Sequence, residues 1–181
     1  MRLRQATAGG REREAGWERL EALYRSSRDD VYAYVVTLLG DRASAEDVTA
    51  LAFERAYARR RRFDRRRGEE RAWLFGIARN AALDELRRRR RIATLLAEPE
   101  ALAEGAHASP DDADELELRR SAVRAALAAL TPRERELIAL KFHAGLTNAE
   151  LASVLGVSVS NAGTMLHRAV QKLRSAVNAP V

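Results

Sequence analysis

Residues 147–174, TNAELASVLGVSVSNAGTMLHRAVQKLR, decide the fold. Thr147 stands just before a short apolar period, Leu151, Ala152 and Leu155, and is placed to cap a helix there. Gly156 follows where a tight turn needs a positive φ. Ser158 or Ser160 can cap a second helix, whose inner side carries Ala162, Leu166, Ala169, Val170 and Leu173. Ala152 is small enough to let the two helices approach closely. Helix, tight turn and helix with small residues at these places predict a helix-turn-helix. Its second helix would expose Ser160, Asn161, Gly163, Thr164, His167, Arg168 and Lys172. The competing reading is an αα-hairpin that binds nothing.

Working outward, Thr131-Pro132-Arg133-Glu134 has the residues of a helix start: Thr at the N-cap, Pro in the first turn and Glu at the capping-box position. That helix carries Leu137, Ile138 and Phe142, and Gly145 ends it. Before it, Leu116, Val123, Leu127 and Leu130 predict a helix over 115–130. Residues 115–176 thus form one small helical domain. Upstream the composition changes sharply: residues 92–117 carry a charge of −8 and no Lys or Arg. Pro99, Gly105 and Pro110 interrupt any lasting period, so 92–114 is expected to be an acidic flexible linker, most clearly over 97–113.

The N-terminal half is a second helical domain, 16–91, preceded by a tail over 1–15 that is expected to be disordered. One helix starts at Gly16 through Trp17, Leu20, Leu23 and Tyr24. Another spans 29–39, with Val31, Tyr34, Val35 and Leu38 on one face and Gly40 at its end. A third covers 45–62 behind a weak capping box of Ser44 and Asp47. Its core stripe is Val48, Leu51, Ala52, Arg55 and Ala56. Glu46, Phe53, Glu54 and Tyr57 form a second face, read either as ordinary helix packing or as a protein-docking surface of aromatics among acids.

Residues 59–91 hold fourteen arginines, five acids and no lysine, a net +9 in a chain of +6. Phe63, Trp73 and Phe75 lie inside this block. Concentrated arginine with aromatics nearby suits a polyanion, although a solvated arginine-rich helix would look similar. Residues 62–71 read as a loop with Gly68 at a turn. A helix over 70–90 turns Leu74, Ile77, Ala78 and Ala81 inward. Asn80, Asp84, Arg87 and Arg91 fall on one polar stripe, which can meet phosphates and bases together.

Totals bound the rest. With much Ala, Leu, Arg and Glu and only four prolines in 181 residues, the expected class is all-α. Absence of cysteine excludes thiolate metal sites and disulfides, and His107, His143 and His167 are scattered, so no metal or other cofactor is expected. There is no phosphate-cradling Gly-rich loop. The charged N-terminus is no secretory signal and no apolar run approaches a membrane span, which predicts a cytoplasmic protein. An isoelectric point near 10.4 points to nucleic acid, with an anionic membrane surface as the weaker partner.

These segments resemble the extracytoplasmic-function (ECF) sigma factors of bacterial RNA polymerase. SAEDVTALAFERAY resembles the family's core-polymerase-binding helix, AWLFGIARNAALDELRRRRR its promoter-melting helix, and LTPRERELIALKFHAGLTNAELASVLGVSVSNAGTMLHRAVQKLR its minus-thirty-five domain. The resemblance implies a non-enzymatic factor whose partners are core polymerase, through the β′ clamp helices and β flap, promoter DNA, and a possible anti-sigma protein. It assigns Glu46, Asp47, Phe53, Glu54 and Tyr57 to polymerase. It assigns Phe63, Arg65, Arg66, Arg67, Trp73, Asn80, Asp84 and Arg87 to the minus-ten strand. Ser160, Asn161, Gly163, Thr164, His167 and Arg168 would enter the minus-thirty-five groove. Gly163 and Met165 stand where relatives often carry a lysine and an arginine, which implies a weaker contact there.

The physical scheme is bivalent binding, two modest sites gaining affinity through a tether. Two other classes remain at this point. A stand-alone helix-turn-helix regulator shares the LTPRERELIAL…TNAELA pattern but would need an N-terminal sensor domain. A metal nuclease would have to be built on Asp29-Asp30 or Asp111, Asp112 and Asp114, the first read as a helix cap and the second lying in the linker.

Overall fold

The computed structural model describes the backbone at residues 3–64, 66, 68–96 and 115–177, and side chains at 16–19, 21–64, 66, 68–95 and 121–177. Among the described residues all regular structure is helical. The N-terminal unit is built of α1 (Leu3–Leu39), α2 (Arg42–Arg59) and α3 (Glu70–Leu96), the C-terminal unit of α4 (Glu115–Ala128), α5 (Pro132–Phe142), α6 (Asn148–Leu155) and α7 (Val159–Val177).

Helix α1 corrects two expectations. It is continuous where two helices were expected, and it includes most of the tail expected to be disordered. No proline interrupts residues 3–39, and Gly9, Gly10 and Gly16 each cost only about 1 kcal/mol relative to Ala. Asp29-Asp30, read as a helix cap, lies inside α1, and Asp30 serves a tertiary contact instead. Ser26 bonds back to the Leu23 carbonyl at 3.2 Å, while Ser27 and Asp30 accept from Arg71 at 3.0 and 2.6 Å.

Helix α2 begins three residues earlier than expected because Asp41, not Ser44, is its cap. The Asp41 carboxylate accepts from the Ala43 and Ser44 backbone N–H groups at 3.3 and 3.1 Å, and Gly40, at φ 68°, turns the chain into it. A 3-10 turn at Arg60–Arg62 closes the helix. Helix α3 starts where expected but continues to Leu96, since Ile92 to Leu96 offers no breaker. Residues 97–114, the heart of the expected linker, lie outside the described residues.

The core of this unit is Val31, Tyr34, Val35 and Leu39 from α1, Val48, Ala52, Phe53 and Ala56 from α2, and Leu74, Phe75, Ile77, Ala78 and Ala81 from α3. Tyr34 and Phe75 meet edge to face at 5.5 Å. Arg55, expected on the core stripe, is half-buried and pairs with Asp84 at 3.0 Å. Its charge excludes it from the interior unless paired.

The C-terminal unit follows its sequence closely. Thr131 and Glu134 form the full capping box of α5, and Thr147 with Glu150 forms another on α6. Gly156 takes φ 67°, the left-handed turn. Ser158, rather than Ser160, caps α7 by accepting from the Asn161 N–H at 3.2 Å. Ala152 and Ala162 are buried where α6 crosses α7.

Two glycines in this unit predict opposite outcomes. Gly156→Ala forces a Cβ into the left-handed region and should destabilise the chain by about 1–2 kcal/mol. Gly163→Ala should stabilise α7 by about 0.5–1 kcal/mol, since the new Cβ would sit 3.5 Å from the Asn148 side chain, an ordinary contact. Urea unfolding of the full chain reads both.

The two units also pack on each other, α5 against α1 and α6 against α3. One apolar cluster runs through both, joining Val31, Tyr34 and Phe75 to Leu137, Leu140, Leu146 and Leu151.

Candidate nucleic-acid interface

The arginine block resolves into distinct jobs. Phe63 leaves the 3-10 turn and leans on Trp73, ring centroids 5.3 Å apart at 48°; both rings are half-buried. The Arg66 N–H donates to Asp64 at 2.9 Å. Gly68, at φ 143°, turns the loop toward α3. Arg65 and Arg67 lie outside the described residues. Along α3, Asn80, Asp84 and Arg87 are exposed. Asp84 accepts from Arg55 of α2 and from Arg87 at 3.0 and 3.1 Å, so it holds one guanidinium group on the stripe and another beside it. Arg87, Arg90 and Arg91 line a cleft of about 470 Å³ together with Asp84.

Not all of Arg87–Arg91 is solvated surface charge. Arg89 is half-buried, donating to Asp41 at 3.2 Å, to the Leu39 carbonyl at 3.3 Å and to Glu85 at 3.0 Å. It fastens α3 to the α1–α2 corner. Glu85 also takes both donors of Arg88, at 2.7 and 2.8 Å. Chiefly because of that bond, its carboxyl titrates below the usual carboxylate range.

The second face of α2 is only partly what the sequence suggested. Glu46, Asp47 and Glu54 are exposed. Phe53 is not: it is 8% exposed and packs edge-on to Tyr24 at 4.8 Å. A Phe one helical step off the main stripe still reaches α1, so packing wins over exposure. Tyr57 remains 40% exposed, with Trp17 edge-on at 5.4 Å and the Arg60 guanidinium 3.9 Å over its ring. Trp17 and Tyr24, on the apolar period that marked the first helix, are 55% and 43% exposed. They add two aromatics to this acidic face.

On α7, Ser160, Asn161, Thr164, His167 and Arg168 are exposed and Gly163 is half-buried. The Thr164 hydroxyl bonds back to the Ser160 carbonyl at 3.1 Å. Lys172 is drawn off this face to Glu134, 2.5 Å away. That bond, and then the Thr131 N–H, lower the Glu134 pKa to about 2. A carboxyl depressed in the folded state contributes stability above its ordinary pKa near 4.5, lost as pH falls toward about 2. Asp41 and Glu85 are depressed as well and act in the same sense. Thermal melts should therefore fall between pH 4.5 and 2, and Glu134→Gln should flatten part of that slope.

Among the described residues no group of His, Asp or Glu could hold a metal ion, and no helix is long and apolar enough to cross a membrane.

An arginine-lined stripe beside an aromatic loop and a helix-turn-helix on one chain are the layout of a DNA-binding protein. The family models agree unit by unit: sigma-70 region 2 matches residues 23–92 and sigma-70 region 4 matches residues 120–173. The chain is 31% identical over 155 residues to the ECF RNA polymerase sigma factor SigL of Mycobacterium tuberculosis, covering 86% of both chains. It is 33% identical over 151 residues to BldN, an ECF sigma factor of Streptomyces coelicolor, covering 83% of this chain and 57% of BldN. Its fold matches the sigma factor RpoE of Bartonella quintana, solved with the anti-sigma factor NepR. The TM-score is 0.73 at 20% identity, with 89% of this chain and 98% of that chain covered. The chain belongs to the ECF RNA polymerase sigma factors, which direct the polymerase in transcription initiation.

Proposed function

We propose that this sigma factor divides promoter recognition between its two units and contributes no chemistry of its own, the polymerase supplying catalysis in the cytoplasm. Glu46, Asp47, Glu54 and Tyr57, with Trp17 and Tyr24 beside them, meet the β′ clamp helices, and the C-terminal unit meets the β flap. Phe63 and Trp73, with Arg66 and its neighbours Arg65 and Arg67, take a minus-ten base turned out of the duplex. Asn80, Asp84 and Arg87 line the strand beside it. Ser160, Asn161, Gly163, Thr164, His167 and Arg168 face the minus-thirty-five groove.

The observation that carries this is the exposed Asn80–Asp84–Arg87 stripe running from the Phe63–Trp73 pair. Aromatics serve unpaired bases, since stacking ignores sequence; arginines serve the phosphates beside them. Phe53 contributes by packing Tyr24 rather than by touching polymerase. Because the RpoE structure holds NepR, and the sigma factor CnrH was solved with the cytosolic domain of CnrY, we infer a sequestering anti-sigma partner for this chain too.

Run-off transcription with core polymerase on a genomic library tests the reading: start sites should appear only when the chain is added, and none appearing would overturn it. Two variants separate base from phosphate contacts. Asn80→Ala should change promoter preference or opening. Arg90→Ala should weaken binding evenly across sequences and reduce the slope of log K against log salt by about 1.

A further inference from the structure

The polar stripe of α3 does not end at the edge of that helix. Asp84 divides its carboxylate between two helices. One oxygen accepts from Arg55 of α2 at 3.0 Å, the other from Arg87, a turn along α3, at 3.1 Å. Helices α2 and α3 run antiparallel. Arg89 of α3 reaches the α2 cap at Asp41, while Phe63, just past the end of α2, meets Trp73 near the start of α3. Arg59 is exposed and stands one turn beyond Arg55 on α2, so it extends the row of cations toward the Phe63–Trp73 pair. At the other end Arg87 joins Arg90 and Arg91 around the open cleft.

The side chains of Arg55, Asp84 and Arg87 are 31%, 52% and 68% exposed. Ion pairs this exposed add little to a fold, so bracing α2 against α3 does not account for the carboxylate. Direct contact with a strand does not account for it either. A carboxylate repels phosphate, and both Asp84 oxygens already face guanidinium groups. What the carboxylate does is fix cations. A guanidinium carries five N–H donors, and Arg55 and Arg87 each spend one on Asp84. The remaining donors are open to a phosphate. Ordering a free arginine on binding costs rotamer freedom, and a side chain already held loses less.

We propose that the minus-ten strand follows the seam between α2 and α3, an assignment that rests on the functional reading above. Arg55 is a further phosphate contact there, supplied by the helix whose other face carries Glu54 and Tyr57. Asp84 is a positioning residue: it presets Arg55 and Arg87 and touches no nucleotide itself. The two possible roles of Asp84 have opposite signs. Removing its charge makes the surface more positive, which by charge alone tightens binding to any polyanion. Removing an anchor for two arginines weakens it.

Fluorescence anisotropy of the full chain against a labelled single strand of mixed sequence, about 20 nucleotides long and titrated at several salt concentrations, reads both residues. Arg55→Gln keeps the stem and an N–H donor but loses the charge. It should lower the slope of log K against log salt by about 0.7, the share of one phosphate on a single strand. Arg55→Lys keeps the charge and should hold the parent slope, so a fold defect common to both variants is told apart from a lost cation. Asp84→Asn should weaken binding about threefold to tenfold although it adds positive charge, and Asp84→Glu should recover most of the loss. An unchanged slope for Arg55→Gln would make Arg55 a brace between helices and overturn its phosphate contact. Tighter binding by Asp84→Asn would overturn the positioning role, and no salt-dependent binding by the parent chain would overturn the seam as a whole. Binding is read without polymerase. A slope lost in Arg55→Gln, with no core-dependent transcript from the parent chain, would sink the functional reading and leave the phosphate seam standing.

Discussion

Asp47→Lys combined with Glu54→Lys should lower core-polymerase affinity on the order of a hundredfold or more while leaving the melting temperature nearly unchanged. Both carboxylates are exposed on α2, and among the described residues neither has an ion-pair partner. The change therefore removes no internal contact. What it removes is charge complementarity to a partner surface, and placing like charges across an interface costs several kcal/mol. Fluorescence anisotropy of labelled protein against core polymerase measures the loss directly. Unchanged affinity would show that α2 does not dock polymerase. Phe53→Ala provides the contrast. It opens a cavity beneath Tyr24 and should cost about 3 kcal/mol or more of stability, so its transcription defect should track its unfolding curve. The double lysine variant should fail at full stability.

How these residues divide was only partly legible in the sequence. The C-terminal unit was almost fully readable, because its signals are local: Thr131, Glu134, Thr147, Gly156 and Ser158 act within a turn of their own positions. In the N-terminal unit the deciding contacts are distant in sequence. Asp41 and Ser44 both resemble caps, and the tie is settled by Gly40 and by Arg89 arriving from α3. Phe53 and Tyr24 each look ambiguous alone, one off the core stripe and one on it, and only their edge-on contact shows that Phe53 is inside and Tyr24 outside. Arginine was the hardest to read. Fourteen in one block look alike as charge, yet Arg71, Arg79 and Arg89 face inward to carboxylates and carbonyls. Arg87 and Arg90 line an open cleft. A guanidinium is equally suited to phosphate and to carboxylate, so its neighbours in space, not its type, assign the role. The sequence contained one hint of the joint between units: Glu136 is a carboxylate directly before the apolar run Leu137 to Leu140, where a buried acid needs a cation.

Phe63→Ala should reduce transcription from a closed duplex promoter by about tenfold to a hundredfold, and a template already open around the minus-ten element should restore most of the loss. Phe63 belongs to the loop rather than a helix, and its ring rests on Trp73 at 5.3 Å. Its removal strips a stacking surface without cutting a helix. Turning a base out of the duplex costs a few kcal/mol, and the cost is least when the base is already unpaired. A side chain that holds the extruded base therefore matters most where the duplex must still be opened. If Phe63 instead supported only the fold, both templates would suffer equally. If it read sequence in the duplex, the opened template would suffer as much as the closed one or more. Trp73→Ala makes the comparison sharper. Trp73 packs against the core as well as against Phe63, so its loss should combine a stability defect with the opening defect and be rescued only in part. The ratio of transcript from closed and opened templates, measured for both variants beside permanganate footprinting of unpaired thymines, separates strand capture from folding. Equal ratios for Phe63→Ala and the parent chain would remove the aromatic loop from the opening step.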